Sequence, residues 1–340
     1  MTSTAHGAGD GPGRVRGSQQ DDRNTDEDDL RGEARDPRYR SFDLASPHAW
    51  EARRGFLAEL QQGTSFLRLA DAALWAAAED DALATNSPVR LPVDAFKQRL
   101  ARLADNCGAA LAAEGARRRE TGGEEGELSD EEAVAVVMEC VLGAGGLRVP
   151  DTGKSSVPGE SVVAHPGVWE RSSHAYLNQV LCNRVGTPAS LAIVLIDVFQ
   201  RLLVSGALSC GVIVDCEDFT EPPTARPAPG FTREALVAAD GRVANTCTTD
   251  ALCEVLRTLK RAFWPFAWES NVAADPTGAQ GGFEAAARTA LEGDDDATTE
   301  AISRFAKYRL KRGIYTSTGA GDLRRCVPAC ERLVLLCGDR

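Results

Sequence analysis

Residues 174–203 read HAYLNQVLCNRVGTPASLAIVLIDVFQRLL and carry the side chains best spaced to do chemistry. Two of them are nucleophiles in principle, the Cys182 thiol and the Ser190 hydroxyl. A thiol turns reactive at a helix N-terminus, where free N–H groups and the positive end of the dipole favour the thiolate. It also needs an imidazole within hydrogen-bond reach, and an acid or amide to orient that ring. The layout suits such a centre: a helix, a tight turn at Gly186, then a long apolar helix whose first turn could carry the nucleophile. That first turn, however, reads Gly186-Thr187-Pro188-Ala189-Ser190. The histidines are His6, His48, His165 and His174, and none follows Pro188 to serve as a downstream base.

Each candidate also has a plain structural role. Cys182 lies within a helix beside Leu181 and reads as a small packed or half-exposed thiol. Ser190 is placed to cap or pack the first turn of its helix. His174 is expected to start a helix. Arg184 falls at a helix end, where a cation meets the negative end of the dipole. Asn178 is expected to bind backbone groups near the Gly186 turn. We therefore read Asn178, Arg184, Gly186, Pro188 and Ser190 as a scaffold motif with no catalytic residue, and keep Cys182 and Ser190 as the alternative nucleophiles.

The other cysteines give no metal pattern. Cys210 and Cys216 flank a strand at even spacing and share a face. Cys247 and Cys253 could add ligands, but the chain holds no Cys-x-x-Cys pair, so no metal is expected. Cys326 and Cys330 lie one helical turn apart and read as core. No glycine-rich phosphate loop occurs, and no cofactor is expected.

The chain has 340 residues, 43% of them apolar, and a net charge of -12. That charge opposes general nucleic-acid binding, which needs a basic face to displace counterions. No run approaches ~18 uninterrupted apolar residues, so no membrane span is expected. Ten cysteines scattered through helical segments, with no apolar leader, point to free thiols in a reducing compartment. The expected location is cytoplasmic. A plastid or mitochondrial presequence fits poorly, because residues 21–36 are acidic.

The elements that must position the motif follow from periodicity and punctuation. Residues 1–45 hold few large apolar groups and are expected to be a disordered tail. Ser46 and Pro47 start a helix. A second helix spans TSFLRLADAALWAAAEDDALA, with Phe66, Leu67, Ala70, Ala73, Leu74 and Ala77 spaced to one side. A third begins at Pro92 and Asp94 and buries Val93, Phe96, Leu100, Leu103 and Cys107. A polar link over about 117–132 ends in a capping box at Ser129 and Glu132. HAYLNQVLCNR reads as one helix and residues 188–203 as a central buried one. ALSCGVIVDC reads as a strand. The proline-rich stretch after it reads as loop, and ALVAADGRVAN as a hairpin turning at Asp240-Gly241. The remainder is helical, ending in a pair joined by IYTSTGAG.

AYLNQVLCNRVGTPASLAIVLIDVFQRL resembles the signature of the SirB-type transglutaminase-like family through Leu177, Asn178, Val180, Leu181, Arg184, Gly186, Pro188, Ser190 and Leu191. The resemblance extends weakly over residues 55–338. In catalytic relatives a cysteine sits two residues after the glycine; here that seat is Pro188, as in the SirB-type signature itself. The family's Gly-His-Phe after the strand has no counterpart in this chain, and Asn245 replaces an expected acid. The resemblance implies an α/β (α+β), helix-dominated fold: an N-terminal helical layer, a transglutaminase-like, papain-like core with a small antiparallel sheet, and tetratricopeptide-like C-terminal helices. The expected division is a domain over 46–270 and a helical tail over 271–340. The implied function is a non-catalytic scaffold or protein-interaction module with a protein or peptide partner. The alternative is a cysteine-dependent hydrolase or acyltransferase.

Overall fold

The computed structural model describes residues 46–62, 67–85, 88–121, 128–150, 168–216, 221–228, 248–263, 296–313 and 322–337. The expected disordered tail over residues 1–45, the Asp240-Gly241 hairpin, His6, His165, Asn245, Cys247 and Phe66 lie outside these residues.

The described chain is helix-dominated with one two-stranded antiparallel sheet. Its elements run α1 Pro47–Leu60, α2 Leu69–Thr85, α3 Val93–Thr121, α4 Asp130–Met138, α5 Val168–Ala175, α6 Leu177–Asn183, α7 Pro188–Ser205, β1 Gly211–Asp215, β2 Thr224–Ala228, α8 Thr248–Phe263, α9 Asp296–Lys311 and α10 Leu323–Cys337. A π-helical turn, Glu139–Ala144, extends α4.

Two helices organise the core. Helix α2 is alanine-rich and buried on almost every side. Small side chains let neighbours approach closely, and α2 touches α1, α3, α6, α7, α8 and α10. Against α1 the approach is closest at Gly55, where an added Cβ would fall 2.4 Å from the Trp75 ring. Helix α7 packs on α3, α8 and β1, and buries Leu191, Ile193, Val194, Leu195, Val198 and Leu202. By length and apolarity α7 could cross a membrane, but 67% of it is buried against protein. One continuous apolar core joins α1–α8 to Ile302, Ala306, Leu323, Val327 and Leu333, so the expected tail helices share it.

Local expectations are met unevenly. The capping box forms: the Ser129 hydroxyl accepts from Glu132 N, and the Glu132 carboxylate accepts from Ser129 N at 3.0 Å. Ser46 occupies the N-cap of α1 but its side chain caps nothing; Pro47 follows as expected. The second helix starts at Leu69, leaving Leu67 buried just ahead of it. The third runs to Thr121, two residues past the expected RRR end at Arg119. HAYLNQVLCNR is broken: Tyr176 is extended (φ -72°, ψ 116°) and separates α5 from α6. His174 therefore lies in the last turn of α5, instead of starting a helix. The proline-rich stretch contains β2, pairing Gly211↔Ala228 through Asp215↔Thr224. Pro227 is tolerated opposite Val212 because both strands of a two-stranded ribbon are edges, where a missing N–H need not break a ladder.

The N- and C-terminal helices meet through buried ions. Arg332 on α10, fully buried, donates to Glu79 Oε2 at 2.7 Å and Asp80 Oδ1 at 2.8 Å. Arg53 on α1 donates to Glu79 Oε1 at 2.6 Å. The Tyr176 hydroxyl donates to Asp80 Oδ2 at 2.8 Å. Glu331 pairs with Lys307 at 2.5 Å and lies 4.0 Å from Arg53. Burial pushes Asp80 and Glu331 above the ordinary carboxylate range, and their cationic neighbours oppose it.

Replacing Arg332 with Met removes the guanidinium shared by Glu79 and Asp80, leaving Asp80 no cation at hydrogen-bond distance among the described residues. Urea unfolding of Arg332→Met is expected to show a loss of about 3–5 kcal/mol; a loss within ~0.5 kcal/mol would show that the network does not hold α10. Glu132 behaves oppositely to the buried acids. Hydrogen bonds from Arg118, then Ser129, lower it from 4.5 to about 2. Its contribution is present above pH 4.5 and is lost as pH falls through about 2. Across that window the urea midpoint of the wild type is expected to fall more than that of Glu132→Gln.

Candidate functional site

The candidate motif is a short crossing of chain segments at the start of α7. Arg184 caps α6 in the left-handed conformation (φ 60°), with its N–H donating to Val180 O. The next residues run parallel to the strand-like segment after the π-turn: Arg148 N donates to Arg184 O and Gly186 N donates to Arg148 O, each at 3.0 Å. Gly186 is required there by space. An added Cβ would lie 2.8 Å from Val180 Cγ1 and 2.9 Å from Ser190 Oγ.

Thr187 is the N-cap of α7, its hydroxyl accepting from Ser190 N at 3.2 Å, and Pro188 takes the first helical position. Proline suits that place because its missing N–H would have had no intrahelical acceptor. The His174 carbonyl closes the arrangement. It accepts from Thr187 N at 2.9 Å and from Ser190 Oγ at 2.8 Å. The Ser190 hydroxyl also contacts Thr187 O at 3.0 Å and Thr187 Oγ1 at 2.9 Å. Ser190 is 1% exposed. Its partners are thus a threonine and a backbone carbonyl; among the described residues no imidazole or carboxylate bonds to it.

The remaining candidates separate from this centre. Cys182 is exposed on α6, and its sulfur accepts from Arg99 Nη1 at 3.5 Å. Among the described residues no histidine bonds to it. Asn178 does not bind the turn as expected: its buried Oδ1 has no hydrogen-bond partner among the described residues. Cys210 and Cys216 lie just outside β1, and burial raises the Cys210 thiol to about 11. Cys326 and Cys330 are fully buried, as core. Among the described residues no group of three or more His, Cys, Asp or Glu could hold a metal ion.

A second feature escaped the sequence. A groove of about 680 Å³ opens between α3 and the C-terminal half of α7. Asp197, Gln200, Arg201, Val204 and Ser205 form one of its walls, Ala101, Asp105 and Gly108 the other, and Arg68 stands at its edge. Asp197 and Arg201 form an i,i+4 pair at 2.6 Å. Burial pushes the Asp197 carboxyl up, against the opposing pull of Arg201. An ion pair of i,i+4 spacing within a nearly all-apolar helix was the available signal, since such a helix otherwise leaves one face unexplained.

The locked geometry makes the Ser190 hydroxyl a structural group. Ser190→Ala is expected to lower unfolding stability by about 1–2 kcal/mol, and a fluorophosphonate probe is expected to leave Ser190 unlabelled in the wild type. Gly186→Ala is expected to cost about 1–3 kcal/mol by overpacking, read in the same urea titration. Comparison with known proteins adds no assignment: scans of family models, of curated proteins and of solved structures each return no match to this chain.

Proposed function

We propose that the chain is a non-catalytic scaffold or protein-interaction module, built on a SirB-type transglutaminase-like core with tetratricopeptide-like C-terminal helices. The observation that carries the reading is the first turn of α7. A proline holds the seat two residues after the glycine, and the nearby Ser190 hydroxyl is spent on the His174 carbonyl. A hydroxyl donated to a backbone carbonyl has no base to activate it.

The groove between α3 and α7 is the surface that a partner would use. Its volume lies within the range of ligand-binding clefts. Its lining carries both signs of charge, Arg68 and Arg201 with Asp105 and Asp197, together with small apolar residues. Walls with both signs of charge and small apolar spacers suit a peptide segment that carries both signs itself. Such a ligand gains orientation from charge and apolar contact area from Ala101 and the exposed Val204.

A cysteine-dependent hydrolase or acyltransferase is the second reading, favoured by one observation: Cys182 is exposed beside the Arg99 guanidinium. It requires a base brought to the sulfur.

Selection of a random peptide library on the full chain tests the first reading. Selected peptides are expected to bind with micromolar Kd, and Ala101→Arg is expected to weaken them at least ~10-fold without moving the unfolding midpoint, a step of about 1.4 kcal/mol. Failure to enrich peptides, or binding indifferent to Ala101→Arg, would overturn it. Stoichiometric labelling of Cys182 by an acyl-donor substrate mimic, lost in Cys182→Ser, would favour the second.

A further inference from the structure

Six of the nine described cysteines meet in thiol–thiol hydrogen bonds: Cys107 with Cys140, Cys326 with Cys330, and Cys253 with Cys337. These pairs differ in what they can become. Cys326 and Cys330 lie on one helix, both fully buried, with no route for an oxidant. Cys107 is fully buried within α3, and burial pushes its thiol up. Cys182, the exposed one, faces Arg99 and not a sulfur. Cys107 on α3 and half-buried Cys140 on the π-turn also lie on different elements, but Cys253 and Cys337 combine close sulfurs, one half-buried member and a place that ties the C-terminal helix to α8. Their sulfurs are 3.5 Å apart; Cys253 on α8 is 1% exposed, and Cys337 is half-buried at the last position of α10.

We propose that Cys253 and Cys337 are a thiol pair that peroxide converts to a disulfide, clamping α10 onto α8. A disulfide needs the sulfurs at about 2.05 Å, so one of them must move by roughly 1.5 Å. Cys337 can supply that movement because the last residue of a helix lacks the onward hydrogen bonds that hold an interior one. The chemistry balances with one peroxide. The Cys337 thiolate attacks one peroxide oxygen, forming S–O and breaking O–O, and the departing hydroxide takes up the proton that Cys337 released, giving water. The Cys253 sulfur then attacks that sulfenic acid, forming S–S and breaking S–O, and the departing hydroxide takes up the Cys253 proton. Two thiols lose two electrons, and hydrogen peroxide is reduced to two waters.

The position gives the modification a consequence. Helices α8 and α10 already meet at their other end, where Asp322 N donates to Phe263 O at 3.1 Å and the Arg325 guanidinium covers the Phe263 ring at 4.2 Å. A bond at Cys253 and Cys337 fixes the opposite end. It also closes a chain loop between residues 84 apart in sequence, which restricts the unfolded ensemble. Helix α10 carries Arg332 and Glu331, so the clamp holds the helix that completes the buried ion network.

The test uses the full chain carrying Cys182→Ser, which removes the exposed thiol. Reduced protein is treated with hydrogen peroxide, alkylated, and mapped by non-reducing peptide mass spectrometry, with Tm measured in parallel. The expected result is a Cys253–Cys337 linked peptide and a Tm raised by about 5 °C, both reversed by dithiothreitol. Cys337→Ser, at a half-buried helix end, is expected to fold, to form no link and to show no rise. Cys337 found as sulfinic acid without a link, a link between other cysteines, or a link that leaves Tm unchanged would each overturn the proposal.

Discussion

The structure depends on a cationic side chain placed where no water reaches it. Arg332 enters the interior at the far end of the sequence and finds its anions, Glu79 and Asp80, 253 and 252 residues earlier. Burying charge is costly, and a well-packed apolar cluster of equal size would hold these helices at least as firmly. What the ions add is uniqueness of fit. Arg53, Arg332 and Lys307 balance Glu79, Asp80 and Glu331, and each contact is short. A turn or slide of α10 would leave several charges unpaired together, whereas alanine and leucine faces would tolerate it. The network therefore fixes the register of helices whose apolar surfaces are too uniform to fix it themselves.

That constraint reaches the candidate motif through one side chain. Tyr176 donates to Asp80 and its ring packs 6.3 Å from Phe263. It is also the residue at which α5 stops and α6 begins. Had the helix continued through Tyr176, the His174 carbonyl would have been taken by an intrahelical partner. The break frees that carbonyl to receive Thr187 N and the Ser190 hydroxyl. The locked first turn of α7 is thus a downstream effect of a tyrosine anchored to a buried aspartate.

Much of this was legible in the sequence where a feature is local. The capping box at Ser129, the start of α1 at Pro47, the buried stripe of α3 and the central place of α7 all follow from spacing and cap chemistry over a few residues. The failures are non-local. Nothing near Tyr176 announces a break, because its cause is Asp80, 96 residues earlier. A strand containing Pro227 reads as loop until β1 is known to need an edge partner. Glu79 and Asp80 look like the polar face of a helix, and only Arg332, far away, makes them interior. In the motif, the places of Gly186, Pro188 and Ser190 were readable because they rest on backbone geometry, while the Asn178 amide oxygen, expected on the turn, has no hydrogen-bond partner among the described residues.

The two halves of α7 then divide the work of the element. Its N-terminal turn has every polar group of Thr187 and Ser190 committed to the fold, so chemistry there would require breaking the contacts that start the helix. Its C-terminal half places Asp197, Gln200 with Arg201, and Val204 with Ser205 at successive turns, hence along one face, against an open groove. The Asp197–Arg201 pair is already satisfied internally. A ligand bringing its own charges must exchange partners with it, which yields little net affinity but penalises a ligand with the wrong charge order. A helix locked at one end and selectively polar along the other half offers a surface at the groove and no activated nucleophile in its first turn, and the proposed recognition role rests on that contrast.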